Sequence, residues 1–297
     1  MDTWLEDFVA YLRYERNYSE HTIGSYHDSL KAFGLFMKSL DSELDWEHVT
    51  SDVIRDWVVC LMDKGITSSG VCPRLSAVKG FYRFLLRRGL VKSDPAYIVQ
   101  APKKAKVLPY FIKEKDMGRL LDDVAFPDTY EGRRNRLIVI MLYSTGIRAS
   151  ELTGIDIDDV DMDDCSLKVT GKRRKQRVIP FGSELKRTLE EYLPLLGTVR
   201  KCNGERALFL SLHTGKRISY GMVRLIVRDA LKLVTSQEKI SPHVLRHSFA
   251  TSMLNNDADL QSVKELLGHE KLSTTSIYVH TSFEELKKMY NQAHPRA

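Results

Sequence analysis

Several short stretches of the 297-residue chain carry side chains that could act on a phosphate or another anion. Ser144-Thr145-Gly146-Ile147-Arg148-Ala149-Ser150-Glu151 reads as a glycine turn entering a helix, with an arginine among its first residues. The N–H groups and positive dipole end of such a helix suit an anion, and a guanidinium beside them adds a forked donor. The same arginine could instead simply pair with Glu151 or an aspartate. Residues 168–177 hold six Lys and Arg around the tip Gly171-Lys172-Arg173-Arg174-Lys175-Gln176, after six aspartates between Asp156 and Asp164. A lysine on such a tip can reach a phosphate, or protonate a leaving oxygen if its pKa is lowered; the two charge runs could equally neutralise each other. Ser241-Pro242-His243-Val244-Leu245-Arg246-His247 is a strong helix start, with Ser at the N-cap and Pro at the first position. His243, Arg246 and His247 then share one face near the positive end, where a polyanion fits better than an apolar core. No Glu follows the first histidine, so the pair does not form the H-E-x-x-H zinc pattern. Leu266-Leu267-Gly268-His269 ends a helix at a glycine cap, and Ser273 to Tyr278 begins another. Taken alone, His269 reads as a surface residue and Tyr278 as a core or rim aromatic.

Elements must hold these residues. Residues 1–100 read as helices only. Trp4, Leu5, Phe8, Val9 and Leu12 follow an i, i+3/i+4 rhythm, as do Ile23, Tyr26, Leu30, Phe33, Phe36, Met37 and Leu40 behind an N-cap at Ser19. Val53, Ile54, Trp57, Val58, Leu61 and Met62 form a third stripe, and Arg74, Leu75, Val78, Phe81, Tyr82 and Leu85 a fourth, ended by Gly89. Four such helices make a small bundle. The fourth carries Arg74, Lys79, Arg83, Arg87 and Arg88, either a solvated face or one that meets a polyanion. Ala101 to Pro109, with two prolines around Lys103, Lys104 and Lys106, reads as an extended linker. Beyond it the pattern is mixed. Leu120–Val124, Leu137–Tyr143 and Glu184–Leu193 look helical, and Leu167–Val169 and Arg177–Ile179 flank the basic tip as a β-hairpin. Helical stripes return at Val223 to Ala230 and at Val263 to Leu267.

Composition narrows the classes. Hydrophobic residues make up 43% and charged residues 28%, an ordinary globular balance. No apolar run approaches the ~20 residues that span a bilayer, and the acidic start Met1 to Asp7 has no apolar signal region, which predicts a cytoplasmic protein without a membrane partner. Cys60, Cys72, Cys165 and Cys202 form no C-x-x-C pair and read as reduced, structural thiols. Net charge is +6, unevenly placed: residues 1–50 hold four Lys and Arg against ten Asp and Glu, whereas residues 51–102 hold eight against four. A polyanion would therefore meet the chain from residue 51 onward, leaving the first helices outward or facing a partner.

In this order, R at 148, K at 172, H-x-x-R at 243–246, L-G-H at 267–269 and Y at 278 resemble the signature of the tyrosine recombinases, the lambda-integrase family. The resemblance covers nearly the whole chain, and its length and ending look most like the Xer recombinases. The tail Phe283-x-x-Leu286-x-x-Met289-Tyr290-x-x-Ala293-His294 leans towards the XerC branch. Asn135 departs from the pattern, standing where many relatives have Asp. The resemblance implies a mostly α fold with a small β-sheet or hairpin in the second domain. Residues 1–100 would be a four-helix, SAM-like core-binding domain, 101–109 a linker, and 110–297 an α+β catalytic domain whose C-terminal tail docks on a neighbouring protomer.

It further implies that Tyr278 is the nucleophile on a scissile phosphate. Arg148 and Arg246 would clamp the non-bridging oxygens, Lys172 would protonate the 5′-oxygen, His243 would handle the tyrosyl proton, and His269 would hydrogen-bond the phosphate. Arg74, Lys79, Arg83, Arg87, Lys103, Lys104, Arg173, Arg174 and Lys175 are candidates for contacts to the DNA. No metal, other cofactor or ATP is implied. The partners would be a double-stranded recombination site, a homo- or hetero-tetramer with a related recombinase, and a cell-division DNA translocase. The activity expected is resolution of chromosome and plasmid dimers at a dif-like site. The alternatives are a recombinase of a mobile element, a type IB topoisomerase, and a DNA-binding protein that kept only the fold.

Overall fold

The computed structural model describes residues 2–103, 110–124, 126–171, 174–201, 204–237, 240–268 and 283–297. The chain divides into two compact units, Met1–Val107 and Leu108–Ala297.

In the first unit α1 (Asp2–Ala10) runs into a π-helical turn at Tyr11–Glu15, followed by α2 (Glu20–Leu40), α3 (Ser51–Asp63) and α4 (Ser68–Arg87). The Ser19 side chain accepts from the Thr22 N–H and starts α2 as its N-cap. The fourth apolar stripe begins at Arg74, yet α4 itself starts at Ser68, with Pro73 in its second turn. The helices bury one face each, closing Phe8, Phe33, Trp57, Phe81 and Tyr82 into a single core. Trp46, from the irregular segment before α3, completes it, edge-on to Phe81 at 5.0 Å between centroids. Its carbonyl accepts from the Tyr82 hydroxyl at 3.0 Å, which satisfies the one polar atom of that buried ring.

The second unit is built round α6 (Tyr130–Thr145), whose residues from Leu137 to Thr145 are all buried. A helix apolar on every side belongs inside the fold, and α6 packs on α8 (Ser183–Tyr192), α10 (Tyr220–Lys232) and α11 (Pro242–Asn255). Before it lies α5 (Glu114–Gly118), continued by a π-helical turn at Arg119–Asp123. After it come the one-turn α7 (Ala149–Leu152), then β1 (Val160–Asp161), β2 (Ser166–Thr170) and β3 (Gln176–Pro180). Among the described residues these make a three-stranded antiparallel sheet in the order β1-β2-β3, with Val169 opposite Arg177 and Leu167 opposite Ile179. The hairpin is thus as expected from the sequence, while β1 is an addition that two residues could not announce. The short α9 (Leu196–Val199) follows α8, and α12 (Leu260–Leu267) and α13 (Phe283–Ala293) end the chain. No helix among the described residues is long and apolar enough to cross a membrane.

The tail, expected to dock on a neighbouring protomer, has a seat within its own chain. In this single chain α13 packs on β3, α11 and α12 of its own unit. Tyr290, Ala293 and His294 are buried there, and Tyr290 stacks on His294 at 5.1 Å. The Arg296 guanidinium then bridges Glu184, at 2.7 Å, and Asp122. Apolar positions on α13 found a surface within the same chain, so the tail is part of the unit's core. Tyr290→Ala should destabilise the second unit by about 3–5 kcal/mol, the usual cost of removing a buried aromatic. Tyr290→Phe should change it little. Urea unfolding followed by far-UV circular dichroism checks this, since all three tryptophans lie in the first unit.

Candidate functional site

Gly146 ends α6 in the left-handed conformation, φ +61°, and turns the chain towards Arg148. A side chain there would be strained, and its Cβ would collide with the Phe249 ring and with Leu267. Arg148 is the N-cap of α7, and its backbone N–H donates to the Glu151 carboxylate at 2.9 Å. That contact takes up the N–H of the N-cap residue itself. The Arg148 side chain is held on two sides. Its Nη1 donates to Glu151 Oε1 at 2.7 Å and its Nη2 to the Gly268 carbonyl at 3.4 Å.

Arg246 comes from the first turns of α11 and is buried. Its Nη1 donates to the Gly146 carbonyl and its Nη2 to the Leu267 carbonyl, both at 2.7 Å. Burial, with the Arg148 charge adding to it, lowers its pKa to about 10, so it stays charged at neutral pH. His243, an exposed residue one turn earlier, has its pKa lowered by partial desolvation and then by the charges of His247, Arg246 and Arg148. Its ring is therefore held neutral at pH 7, as a group that can accept a proton must be.

The end of α12 organises these groups. Asp259 caps its start, accepting from the N–H groups of Gln261 and Ser262 at 2.8 Å, and Gly268 ends it with φ +64°. Its last carbonyls then face guanidiniums: Leu266 accepts from Arg177 at 2.9 Å, Leu267 from Arg246 and Gly268 from Arg148. Cations at the negative end of a helix are the favourable arrangement. Glu151 lies between Arg148 and Arg177, which reaches both of its oxygens at 2.9–3.0 Å. Burial raises the carboxyl's pKa, but hydrogen bonds from Arg177 and from Arg148 outweigh that and hold it at about 2.

Of the sequence candidates, Arg148, His243 and Arg246 are brought together. Lys172, Arg173, His269 and Tyr278 lie outside the described residues, as does Lys104. Arg174, in a left-handed conformation at φ +58°, and Lys175 are exposed at the hairpin tip. Four members of the aspartate run pair with described residues. Lys168 pairs with Asp159 at 2.9 Å, but Asp156 goes to Arg217, Asp158 to Arg206 and Asp164 to Lys287. In the first unit Lys79, Arg83 and Arg87 line a hollow of about 290 Å³ together with Arg16, Tyr11, Tyr18 and Tyr26. Arg16, Tyr11 and Tyr18, from the turn and loop that precede α2, were not singled out from sequence, and Tyr26, named there only in an apolar stripe, lies on α2. Arg74 lies apart, its Nη1 donating to Gly70 of its own helix at 2.7 Å, and Lys103 is exposed.

Glu151 supplies a pH test of this geometry. A carboxylate whose pKa falls on folding stabilises the folded state above its ordinary pKa, near 4.5, and loses that contribution as the pH drops towards 2. Glu151→Gln should therefore be less stable than wild type at pH 7, and the difference should shrink steadily below about pH 4.5. Urea unfolding across that range checks it; a constant difference would mean that the carboxylate's charge is not what the arginines bind.

Two family models match the chain: the phage integrase family over residues 111–285 and the phage integrase N-terminal SAM-like domain over residues 5–89. The tyrosine recombinase XerC of Staphylococcus carnosus is 38% identical over 98% of this chain and 97% of its own length. That of Bacillus licheniformis is 39% identical over 98% and 95%. Among solved structures, a lambda integrase tetramer bound to a Holliday junction aligns with a TM-score of 0.72 at 18% identity, over 92% of this chain and 75% of that one. XerH bound to its difH substrate before cleavage aligns at 0.71 and 20%, over 96% and 83%. These two establish likeness of fold, mostly helical with a small antiparallel sheet. The family models and the near-full-length relatives go further: the chain belongs to the phage integrase family, as a site-specific tyrosine recombinase of the Xer type.

Proposed function

We propose that the chain cuts and rejoins double-stranded DNA at a dif-like site through a 3′-phosphotyrosyl intermediate, resolving chromosome and plasmid dimers before cell division. The observation that carries this reading is the convergence of Arg148 and Arg246 on the end of α12, beside a neutral His243. Two charged, forked donors fixed by protein carbonyls are preorganised for the non-bridging oxygens of one phosphate. The Tyr278 oxygen attacks phosphorus and the bond to the 5′-oxygen breaks. The tyrosyl proton goes to His243, the 5′-oxygen takes a proton from Lys172, and His269 hydrogen-bonds the phosphate. One ester replaces another, so no ATP is consumed. Residues 1–100 act as the core-binding domain and 110–297 as the catalytic domain, joined by the lysine linker around the duplex.

Lys79, Arg83 and Arg87, with Arg16, meet backbone phosphates, and affinity falls steeply with salt. Arg74, Lys103, Lys104, Arg173, Arg174 and Lys175 add further phosphate contacts. Four protomers, of this chain alone or with a related recombinase, exchange strands through a Holliday junction, and a cell-division DNA translocase activates them. Named relatives solved on DNA, the lambda integrase tetramer and XerH on difH, support assembly of this kind. In such an assembly α13 trades its contacts with β3, α11 and α12 for the same surface on a second copy. The reaction belongs in the cytoplasm, where the chromosome lies.

The site to seek is an imperfect palindrome of about 28 base pairs, two half-sites of roughly one helical turn each. On a nicked form of that duplex Tyr278→Phe should bind with wild-type affinity and form no covalent adduct. Tyr290→Phe, at a tyrosine buried in the core of the second unit, is the control that should still cleave. An adduct formed by Tyr278→Phe overturns the assignment of the nucleophile. Lys172→Ala should slow cleavage by about 10²–10⁴-fold, the range for loss of a general acid. A 5′-bridging sulfur, which leaves without a proton, should restore most of that rate; no recovery would reduce Lys172 to a phosphate contact.

A further inference from the structure

We propose that Arg177 is a positioning residue for the phosphate clamp: it holds Glu151, and through it Arg148, in register with the end of α12. The proposal rests on the reading of the chain as a phosphodiester-cleaving recombinase and adds a residue to it. Arg177 stands on β3 opposite Val169, on the strand that follows the hairpin tip bearing Lys172. Its Nη1 and Nη2 donate to the two Glu151 oxygens at 3.0 and 2.9 Å, while its Nε donates to the Leu266 carbonyl at 2.9 Å. One planar group thus ties three segments: the hairpin, the start of α7 and the end of α12. Only a guanidinium has donors spaced for that; a lysine brings the charge without the fork.

The surroundings are shaped to it. A Cβ on Gly268 would lie 3.1 Å from Arg177 Nη1 and 3.2 Å from Cζ, so the glycine that ends α12 also makes room for this side chain. The residue after that glycine is His269.

Charge explains why a second arginine is needed. Glu151 accepts both the backbone N–H and the side chain of Arg148, which fixes that arginine's place. Glu151 with Arg148 alone is a neutral pair, a poor partner for a phosphate. Sharing the carboxylate with Arg177 leaves the group net positive, so Arg148 keeps its pull on an incoming anion.

The test uses full-length protein and the nicked palindromic duplex, measuring the rate of covalent adduct formation at saturating DNA and, separately, site affinity by gel shift. Arg177→Ala should slow adduct formation about 10²-fold, as loss of an electrostatic stabiliser does, with affinity within about threefold of wild type. Arg177→Lys should recover less than a tenth of the lost rate. The double variant Arg148→Ala/Arg177→Ala should be no slower than Arg148→Ala alone, because both changes disable the same clamp. A wild-type rate in Arg177→Ala, full recovery in Arg177→Lys, or multiplied losses in the double variant would each overturn the proposal. If Arg177→Ala does not fold, Arg177→Lys, which keeps stem and charge, carries the same double-variant comparison. Absence of any adduct with the wild-type protein would sink the recombinase reading itself; a wild-type adduct matched by Arg177→Ala would sink only the role of Arg177.

Discussion

The second unit turns on a concentration of positive charge that has to be held apart and yet aimed at one place. Arg148, Arg177 and Arg246 come from three separate elements, and unsupported they would repel one another. The structure meets this with the last carbonyls of α12, at Leu266, Leu267 and Gly268, and with one buried carboxylate, Glu151. Each carbonyl fixes a guanidinium without cancelling its charge. The carboxylate does cancel charge, and it is shared between two arginines. Much of the local architecture follows from that arrangement. Gly146 and Gly268 both take left-handed conformations because the chain must leave α6 and α12 abruptly, close to the arginines they serve.

How far the sequence shows this varies from residue to residue. Apolar stripes of helical period locate α2, α3 and α4, because each buries one face and burial is what periodicity reports. Trp46 escapes that reading: it enters the first core from an irregular segment with no period to extend. Arg148, His243 and Arg246 are legible through the helix-start and family patterns around them. Glu151 is visible in the sequence only as a partner that might silence Arg148, whereas in the fold it both pairs with that arginine and positions it. Arg177 is counted in the sequence as one more charge of a basic tip. Strand alternation held the missing signal, since Arg177 shares its face with buried Ile179 and so points inward, opposite to exposed Gln176 and Val178. The two π-helical turns, at Tyr11–Glu15 and Arg119–Asp123, have no sequence signature of this kind.

The first unit solves a different problem with the same residue types. The balance of residues 1–50 is acidic and that of residues 51–102 basic, yet the hollow beside α4 draws on both stretches. Arg16 joins Lys79, Arg83 and Arg87 there, and three tyrosines line the same hollow. Elsewhere the N-terminal arginines are spent on local pairs, as Arg13 is with Glu20 at 2.8 Å. Net charge by segment is thus a coarse guide, because folding assigns each cation either to a neighbour or to an open surface.

The seat of α13 has a consequence for how the protein is made. Tyr290 and His294 fill a core whose other walls include Tyr143 and Phe249, and the His294 ring meets Tyr143 at 5.5 Å and Phe249 at 5.6 Å. About 150 residues separate Tyr143 from His294 in the sequence. At 5–20 residues per second, synthesis of that stretch takes roughly 8–30 s. During that interval a growing chain exposes the surface that α13 later covers, and the helices bearing Arg148 and Arg246 lack their final packing. Because α13 emerges after the helices that it covers, the order of synthesis itself delays an enzyme that breaks DNA strands until this helix has closed the unit.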